Sequence, residues 1–232
     1  MRKLLLAGAV AGCLALSAGG AQASPYVGTT AANNDVIGVV EGWFGAQWYL
    51  IAGGSTTIDV YYLGFEAGWT NTFDFNSGAV IVTKGGGNTG KSSLFGGGVA
   101  PTLVAGSLTA PGLLNFSFTT NRGGAGNATV TNATNTVPPS APNFFSTVTT
   151  CGAALAGCVF DTTFDSVSAG SGNTLLLALD DGGAGVDDNH DDLVVVLKIN
   201  NGEIQRVPEP ATLGLLGFGL AGLGIANRRR KA

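Results

Sequence analysis

Short stretches in which apolar and polar residues alternate dominate the middle of this chain of 232 residues. Ile58 to Tyr61, Phe73 to Phe75 and Leu114 to Phe118 follow this period of two, which places successive side chains on opposite faces of a β-strand. Two unbroken apolar runs, Thr174 to Leu179 and Leu193 to Ile199, suit strands that are buried on both faces. No stretch of this middle region shows a sustained helical period. The pattern therefore predicts an all-β domain, a β-sandwich or jelly roll.

Turn-forming residues separate the predicted strands. Asn76-Ser77-Gly78 precedes the apolar run Ala79 to Val82, and this order predicts a hairpin. The stretch from Thr119 to Thr150 is rich in Asn, Thr and Ala and contains three prolines. It predicts a long irregular loop or an excursion at a sheet edge.

Residues 1–23 have the layout of an export signal. Arg2 and Lys3 form a basic start, and the apolar stretch Leu4 to Leu16 follows. Ala21-Gln22-Ala23 then places small residues at the positions that a signal peptidase inspects. The sequence therefore predicts export.

Two ways of processing this signal are open. Cleavage after Ala23 would make Ser24 the first residue of the mature protein. Alternatively, Val10-Ala11-Gly12-Cys13 resembles a lipobox, which would place a lipid on Cys13. Both interpretations lead to an exported protein.

The other end of the chain, residues 207–232, combines three elements in a fixed order. Pro208-Glu209-Pro210 comes first, an apolar stretch over 211–226 follows, and a basic cluster closes the segment, formed by Arg228, Arg229, Arg230 and Lys231. As a helix the apolar stretch would span about 24 Å, against about 30 Å for the hydrocarbon core of a bilayer. Its five glycines would weaken a helix in water but are tolerated in membranes. The prediction is a C-terminal transmembrane helix with its basic end in the cytoplasm.

This order of motif, helix and basic cluster resembles the PEP-CTERM sorting signal of Gram-negative bacteria. The resemblance implies that a membrane-embedded exosortase recognises the tail and cuts it near Pro208-Glu209-Pro210. It also implies that the protein accompanies exopolysaccharide production. The two prolines forbid regular structure around Glu209, which would keep the link extended and accessible. A plain membrane anchor is the alternative, and it differs only in whether the tail is later removed.

Residues 24–206 form the predicted extracytoplasmic domain, which is long enough for one hydrophobic core. The domain contains 14 acidic and five basic residues, a formal charge of −9. Such a charge argues against a nucleic-acid partner. Cys151 and Cys158 are the two cysteines of this domain, and in an exported chain they favour a disulfide over a metal or redox pair.

Six of these acidic residues lie between Asp180 and Asp192, where one apolar run ends and the next begins. Carboxylates this close raise one another's pKa unless a cation neutralises them, and alternating oxygen ligands suit Ca²⁺. The stretch is not an EF-hand, because it lacks the loop glycine and the final glutamate. It resembles the acidic turn before a DLVV strand in many exported bacterial β-proteins. The prediction is one structural Ca²⁺ on Asp187, Asn189 and Asp191, with Asp180, Asp181, Asp188 and Asp192 as further candidate ligands.

A hairpin whose acidic residues are simply solvated is the alternative to a calcium site. Such a charged turn keeps a sheet edge from aggregating. His190 is the one histidine of the chain, and in either case we expect it to be a solvent-exposed turn residue rather than a ligand or a base.

Other motifs give weaker signals. Gly85 to Ser92 fits the P-loop pattern, but the residues after it form a poor helix, so we expect no nucleotide site. Glu41 and Glu66 are candidates for a glycosidase pair, although nothing in the sequence brings them together. We expect no enzymatic activity.

Five aromatic residues are candidates for a surface on which sugars stack, although such residues lie in protein cores more often. They are Trp43, Trp48 and Trp69, with Tyr61 and Tyr62. The sequence predicts a structural or adhesive protein of the extracellular matrix, which passes through an inner-membrane intermediate to the cell surface or the matrix. A carbohydrate-binding module that recognises exopolysaccharide is the alternative, and a secreted hydrolase is the third interpretation.

Overall fold

Alternating side chains give strands such as Glu66–Phe75 and Phe116–Asn121 a core face and an outer face, as the sequence pattern predicts. The computed structural model describes residues 36–37, 47–135, 142–161, 170–182 and 190–207. Within these ranges the chain forms thirteen β-strands: β1 Gln47–Ile51, β2 Thr56–Gly64, β3 Glu66–Phe75, β4 Val80–Asn88, β5 Thr102–Thr109, β6 Gly112–Leu113, β7 Phe116–Asn121, β8 Asn127–Thr131, β9 Asn143–Thr149, β10 Ser171–Gly172, β11 Thr174–Asp180, β12 Leu193–Ile199 and β13 Glu203–Val207. Helical structure in these ranges amounts to three short turns of 3-10 helix.

The strands form three sheets whose neighbouring strands pair antiparallel. The five-stranded sheet has the order β5-β2-β12-β11-β9, and the two four-stranded sheets have the orders β4-β3-β7-β8 and β10-β13-β1-β6. All three contribute to one hydrophobic core, for example through Phe73, Leu177 and Ile204. This sandwich-like architecture confirms the prediction of an all-β fold.

The sheet β4-β3-β7-β8 shows how the alternation works. Phe73 on β3 is fully buried, and its ring centroid lies 5.0 Å from that of Phe118 on β7. The preceding residue, Thr72, points to the outer face, where its hydroxyl lies 3.0 Å from that of Thr83 on β4. Because each strand has one apolar and one polar face, the register of the sheet is fixed by burial.

The predicted hairpin between β3 and β4 is confirmed. Asn76, Ser77 and Gly78 all have positive φ, with values of 54°, 53° and 89°. Asparagine and glycine adopt this left-handed backbone more readily than other residues. The Gly78 N–H also donates a 2.7 Å hydrogen bond to Asp74 Oδ1, which closes the turn.

β11 and β12 are buried along their whole length, as their unbroken apolar sequences predict. One face of this strand pair belongs to the main core. On the other face Leu176 and Val196 lie in a second cluster with Leu155. The segment that carries Leu155 is closed by the predicted disulfide between Cys151 and Cys158, which is present in the structure. Both faces of the central strands are therefore covered.

Strands interrupt the predicted long irregular loop over residues 119–150, whereas the alternative, an excursion at a sheet edge, is confirmed, because β8 and β9 are edge strands. Asn127–Thr131 and Asn143–Thr149 are strands, while 136–141 lie outside the described residues. Asn132 explains part of the error. Its side chain accepts a 2.9 Å hydrogen bond from Trp48 N and donates one of 2.8 Å to Trp48 O. Asparagine is typical of loops, but here its side chain bonds the backbone of β1 as a neighbouring strand does.

All described strands belong to the unit Ala23–Val207. The predicted export signal over 1–23, the motif at 208–210, the apolar stretch 211–226 and the basic cluster at 228–231 lie outside the described residues. None of the helical segments in the described ranges has the length and hydrophobicity that a membrane span requires.

Truncation of Phe73 should separate core packing from surface effects. We expect Phe73→Ala to lower the free energy of unfolding by about 3–5 kcal/mol, because it leaves a cavity among aromatic rings. Ile81→Ala is the matched control on the same sheet, since Ile81 is 54% exposed and surface changes stay within about 0.5 kcal/mol. Urea unfolding measures both. Equal losses in the two variants would contradict the described core.

Candidate functional site

An open cleft of about 500 Å³ lies where β3 begins, β4 ends and β11 leads towards β12. We call it the Trp69 cleft. Its aromatic and polar lining consists of Glu66, Trp69, Asn88, Asp181 and Asp192. These residues come from three separate parts of the sequence, so the fold alone brings them together.

A β-bulge at the start of β3 positions Trp69. The register between β3 and β4 shifts between Ala67 and Thr70, and such bulges commonly redirect a side chain next to a functional site. The bulge needs a glycine opposite it, because a Cβ on Gly85 would lie 2.6 Å from Thr70 Cα. The result is a tryptophan that is 41% exposed on the wall of the cleft, whereas Trp48 is fully buried in the core.

Arg122, which follows β7, links the indole ring to the acidic side of the cleft. Its guanidinium carbon lies 5.6 Å from the centroid of the Trp69 ring. The same guanidinium donates a 3.1 Å hydrogen bond from Nη2 to the Asp181 carbonyl oxygen. Cation–π contact of this kind contributes about 0.5–2 kcal/mol, so Arg122 restrains Trp69 while leaving part of the ring open to solvent.

Two linked carboxylates complete the lining. Asp192 Oδ2 accepts a 2.7 Å hydrogen bond from Asp181 N, and Asp181 Oδ2 accepts one of 2.7 Å from Asn71 Nδ2. Burial raises the pKa of the Asp192 carboxyl well above its ordinary value, and the negative charges of Asp181, Asp180 and Asp191 raise it further. The cleft therefore holds a carboxyl group that ionises reluctantly.

Polar atoms lie buried beside these carboxylates. Asn71 and Thr120 face each other on β3 and β7, and both side chains are fully buried. Within the described ranges, Asn71 Oδ1, Thr120 Oγ1 and Arg122 Nε have no hydrogen-bond partner. Buried polar atoms are nearly always hydrogen-bonded, so these three atoms are exceptions within the described residues, and none of the three residues lines the cleft.

The remaining acids at these strand ends do not line the cleft. Asp180 Oδ1 accepts a 2.9 Å hydrogen bond from Gly182 N, and Asp180 Oδ2 accepts one of 3.0 Å from Asn143 Nδ2. Asp191 Oδ2 accepts a 3.4 Å hydrogen bond from Val36 N. Both carboxylates thus hold neighbouring backbone or amide groups in place.

His190 is fully buried, so the prediction of a solvent-exposed turn residue is wrong. Burial lowers its pKa to about 3, and the imidazole is therefore neutral at neutral pH. His190 Nε2 lies 2.8 Å from Asn143 Oδ1, an arrangement in which the ring nitrogen donates to the amide oxygen. The histidine extends the hydrogen-bonded chain from Asp180 through Asn143.

The predicted calcium ligands fall into two groups, those that the structure describes and those that lie outside the described residues. Four of them are buried at the ends of β11 and β12, so the alternative of a solvated acidic hairpin is wrong for Asp180, Asp181, Asp191 and Asp192. The other three lie outside the described residues: Asp187, Asp188 and Asn189. Across the described residues no group of three or more His, Cys, Asp or Glu side chains is placed to hold a metal ion. Calcium binding stays a prediction.

The other sequence motifs are placed apart from one another. Gly85 to Asn88 of the P-loop-like stretch belong to β4, and Ser92 caps a 3-10 turn rather than an α-helix. Tyr61 is buried, and Lys84 Nζ lies 5.1 Å from the centroid of the Tyr62 ring, so neither tyrosine joins Trp69.

Trp43 and Glu41 lie outside the described residues, so the structure tests neither the full tryptophan set nor the pairing of Glu41 with Glu66. Sequence reasoning missed Asn71 and Arg122 altogether. A weak signal existed for Arg122, because it is one of only five basic residues in the domain.

The raised pKa of Asp192 predicts that its charge lowers the stability of the fold at neutral pH. Unfolding returns the carboxyl to its ordinary pKa of 3.8. The folded state therefore holds the proton longer, and stability falls as the pH rises from about 4 through the raised value. Asp192→Asn removes the charge but keeps an oxygen acceptor. We expect it to be more stable than the wild type at pH 7 and to lose this advantage as the pH falls towards 4.

Urea unfolding of both proteins from pH 4 to pH 8 measures this difference. Protonation of His190 affects both proteins, so it cancels in the comparison. Asn71→Asp is the opposing variant, since it adds a carboxylate to the same cluster and should be least stable at neutral pH. A difference between Asp192→Asn and the wild type that does not change with pH would contradict the raised pKa.

Comparison with known proteins adds one finding. Residues 206–231 match the family model of the PEP-CTERM protein-sorting motif, as the resemblance of the tail implies. No curated protein and no solved structure matches the chain. The motif indicates an exported protein that an exosortase, a membrane sorting enzyme, recognises. The chain thus carries, at residues 206–231, the PEP-CTERM sorting motif of proteins handled by exosortase at the membrane.

Proposed function

We propose that this protein is a surface-sorted structural or adhesive component of the extracellular matrix, and that it holds exopolysaccharide in the Trp69 cleft. The observation that carries the proposal is a partly exposed tryptophan beside carboxylate and amide side chains in one open cleft. Binding sites typically combine apolar or aromatic walls with a few placed polar groups. A sugar ring offers matching chemistry, because it has an apolar C–H face and a rim of hydroxyl groups.

Each part of the cleft has a role in this proposal. Trp69 stacks against a sugar ring. Arg122 holds the indole in place, because its guanidinium contacts the ring and also donates a hydrogen bond to the Asp181 carbonyl oxygen. Glu66 and Asp181 accept hydrogen bonds from hydroxyl groups, and Asn88 offers both a donor and an acceptor. The cleft is open rather than enclosed, which suits a segment of a polymer better than an isolated small molecule.

A secreted hydrolase is the second candidate, and the raised pKa of Asp192 is the observation that favours it. A glycosidase needs one carboxyl group that stays protonated and a second that is ionised. Burial gives Asp192 the first property, and Asp181 is the neighbouring carboxyl group in the same cleft. Release of reducing ends from the bound polysaccharide, lost in Asp192→Asn, would establish this activity in place of simple binding.

Binding of exopolysaccharide should depend on Trp69. We expect Trp69→Ala to weaken binding at least tenfold, equivalent to about 1.4 kcal/mol, and Trp69→Phe to retain part of the affinity because an aromatic face remains. Leu108→Ala is the control, since Leu108 is 73% exposed but does not line the cleft. Affinity electrophoresis in gels that contain the polymer measures all three. Unchanged binding by Trp69→Ala would refute this site.

Sorting should depend on the tail. We expect Glu209→Ala to accumulate a full-length, membrane-bound precursor, because the Pro-Glu-Pro motif at 208–210 is where the exosortase is proposed to act. Thr212→Ala, just beyond the motif, is the matched control and should be processed normally. Cell fractionation followed by mass spectrometry of the protein distinguishes the two forms. Normal processing of Glu209→Ala would show that the motif does not determine cleavage.

A further inference from the structure

The charges around the Trp69 cleft limit which polysaccharides it accepts. Among the described residues, three carboxylates line the cleft, those of Glu66, Asp181 and Asp192, and no basic residue lines it. The guanidinium of Arg122 is nearby, but it is engaged with the Trp69 ring and the Asp181 carbonyl oxygen. A polymer of uronic acids or sulfated sugars would therefore be repelled, whereas a cationic group would be attracted.

The buried polar atoms near these carboxylates include two that can accept a hydrogen bond. Asn71 Oδ1 and Thr120 Oγ1 are fully buried and have no partner within the described part of the chain. The other end of the Asn71 amide is linked to the acidic group, since its Nδ2 donates a 2.7 Å hydrogen bond to Asp181 Oδ2. An ammonium group carries three donors and no acceptor, and its hydrogen bonds to carboxylates are stronger than those of a neutral hydroxyl.

A metal ion fits these residues less well than an ammonium group does. Calcium takes six to eight oxygen ligands, and in the ranges that the structure describes no three acidic side chains converge in that way. An ammonium needs only three acceptors. When it is attached to a sugar ring, the same ligand also uses the exposed face of Trp69, which a bare ion leaves unused.

We infer that the ligand of the Trp69 cleft is a polysaccharide with free amino groups, a hexosamine polymer that is at least partly deacetylated. Its ammonium group lies against Asp181 and Asp192, in the field of Glu66, which lines the same cleft, and an adjoining ring stacks on Trp69. This inference rests on the proposed carbohydrate function and narrows it to one chemical class. The inference is supported by the cost of burying these carboxylates and by their mutual repulsion, because a bound cation offsets both.

Four hexasaccharides of equal length test the inference by calorimetry on the mature protein: glucosamine, N-acetylglucosamine, glucose and galacturonate oligomers. We expect the glucosamine oligomer to bind at least tenfold more tightly than its acetylated form, and the galacturonate oligomer not to bind. The preference should shrink as salt is added, because the interaction is electrostatic. Chemical acetylation of the glucosamine oligomer before it is mixed with the protein is a control that changes the ligand alone.

Variants of the cleft separate charge from stacking. Asp181→Asn and Glu66→Gln should remove the preference for glucosamine, whereas Asp74→Asn, on the outer face of β3, should keep it. Trp69→Ala should weaken the glucosamine and acetylated oligomers to the same extent. Thermal unfolding of each variant checks that it is folded. Because Glu66→Gln changes a second position, the test remains valid if Asp181→Asn fails to fold.

The outcomes discriminate between the two levels of the proposal. Equal or tighter binding of the acetylated or glucose oligomer would overturn the amino-sugar inference and leave carbohydrate binding standing. No binding of any sugar would remove both. If Ca²⁺ alone raises the unfolding temperature and displaces the glucosamine oligomer, the cation in the cleft is a metal ion and the inference fails.

Discussion

Burial of both faces of the β11–β12 pair is the constraint on which the rest of the structure depends. These strands lie in the interior of the five-stranded sheet, with the main core on one side and the disulfide-closed segment on the other. Their ends cannot reach solvent freely. The carboxylates of Asp180, Asp181, Asp191 and Asp192 are therefore held inside the fold, and each needs a partner there. The hydrogen bonds from Asn71 and Asn143 follow from that requirement.

The elements that the sequence predicts well are those set by local pattern. The alternation around Phe73, the turn at Asn76-Ser77-Gly78 and the apolar runs of β11 and β12 each lie within ten residues, so burial and turn chemistry determine them directly. The pair Cys151 and Cys158 is equally local, with a sequence separation of seven. Together these features account for the all-β fold but not for the arrangement of its sheets.

The cleft depends on contacts that no local pattern contains. Asn71 and Asp181 are 110 residues apart in sequence, and Arg122 and Asp181 are 59 apart. Which tryptophan is exposed depends on a bulge opposite Gly85 rather than on composition. The acidic stretch was predictable as a concentration of charge. Its burial was not, because burial follows from the position of β11 and β12 within the sheet.

Buried charges of the same sign lower the stability of the fold. Because these charges lie at one edge of a cleft, we interpret them as part of a binding site. A sequence selected for stability alone would place apolar or amide side chains at Asp181 and Asp192, since neither the core nor the strand pairing needs their charge. Natural folds break such rules mainly where function requires it. Here the break coincides with the exposed Trp69 and with two buried atoms, Asn71 Oδ1 and Thr120 Oγ1, that have no hydrogen-bond partner among the described residues. The proposed ligand brings a ring for the exposed face of Trp69 and a cation that offsets the charge of the carboxylates.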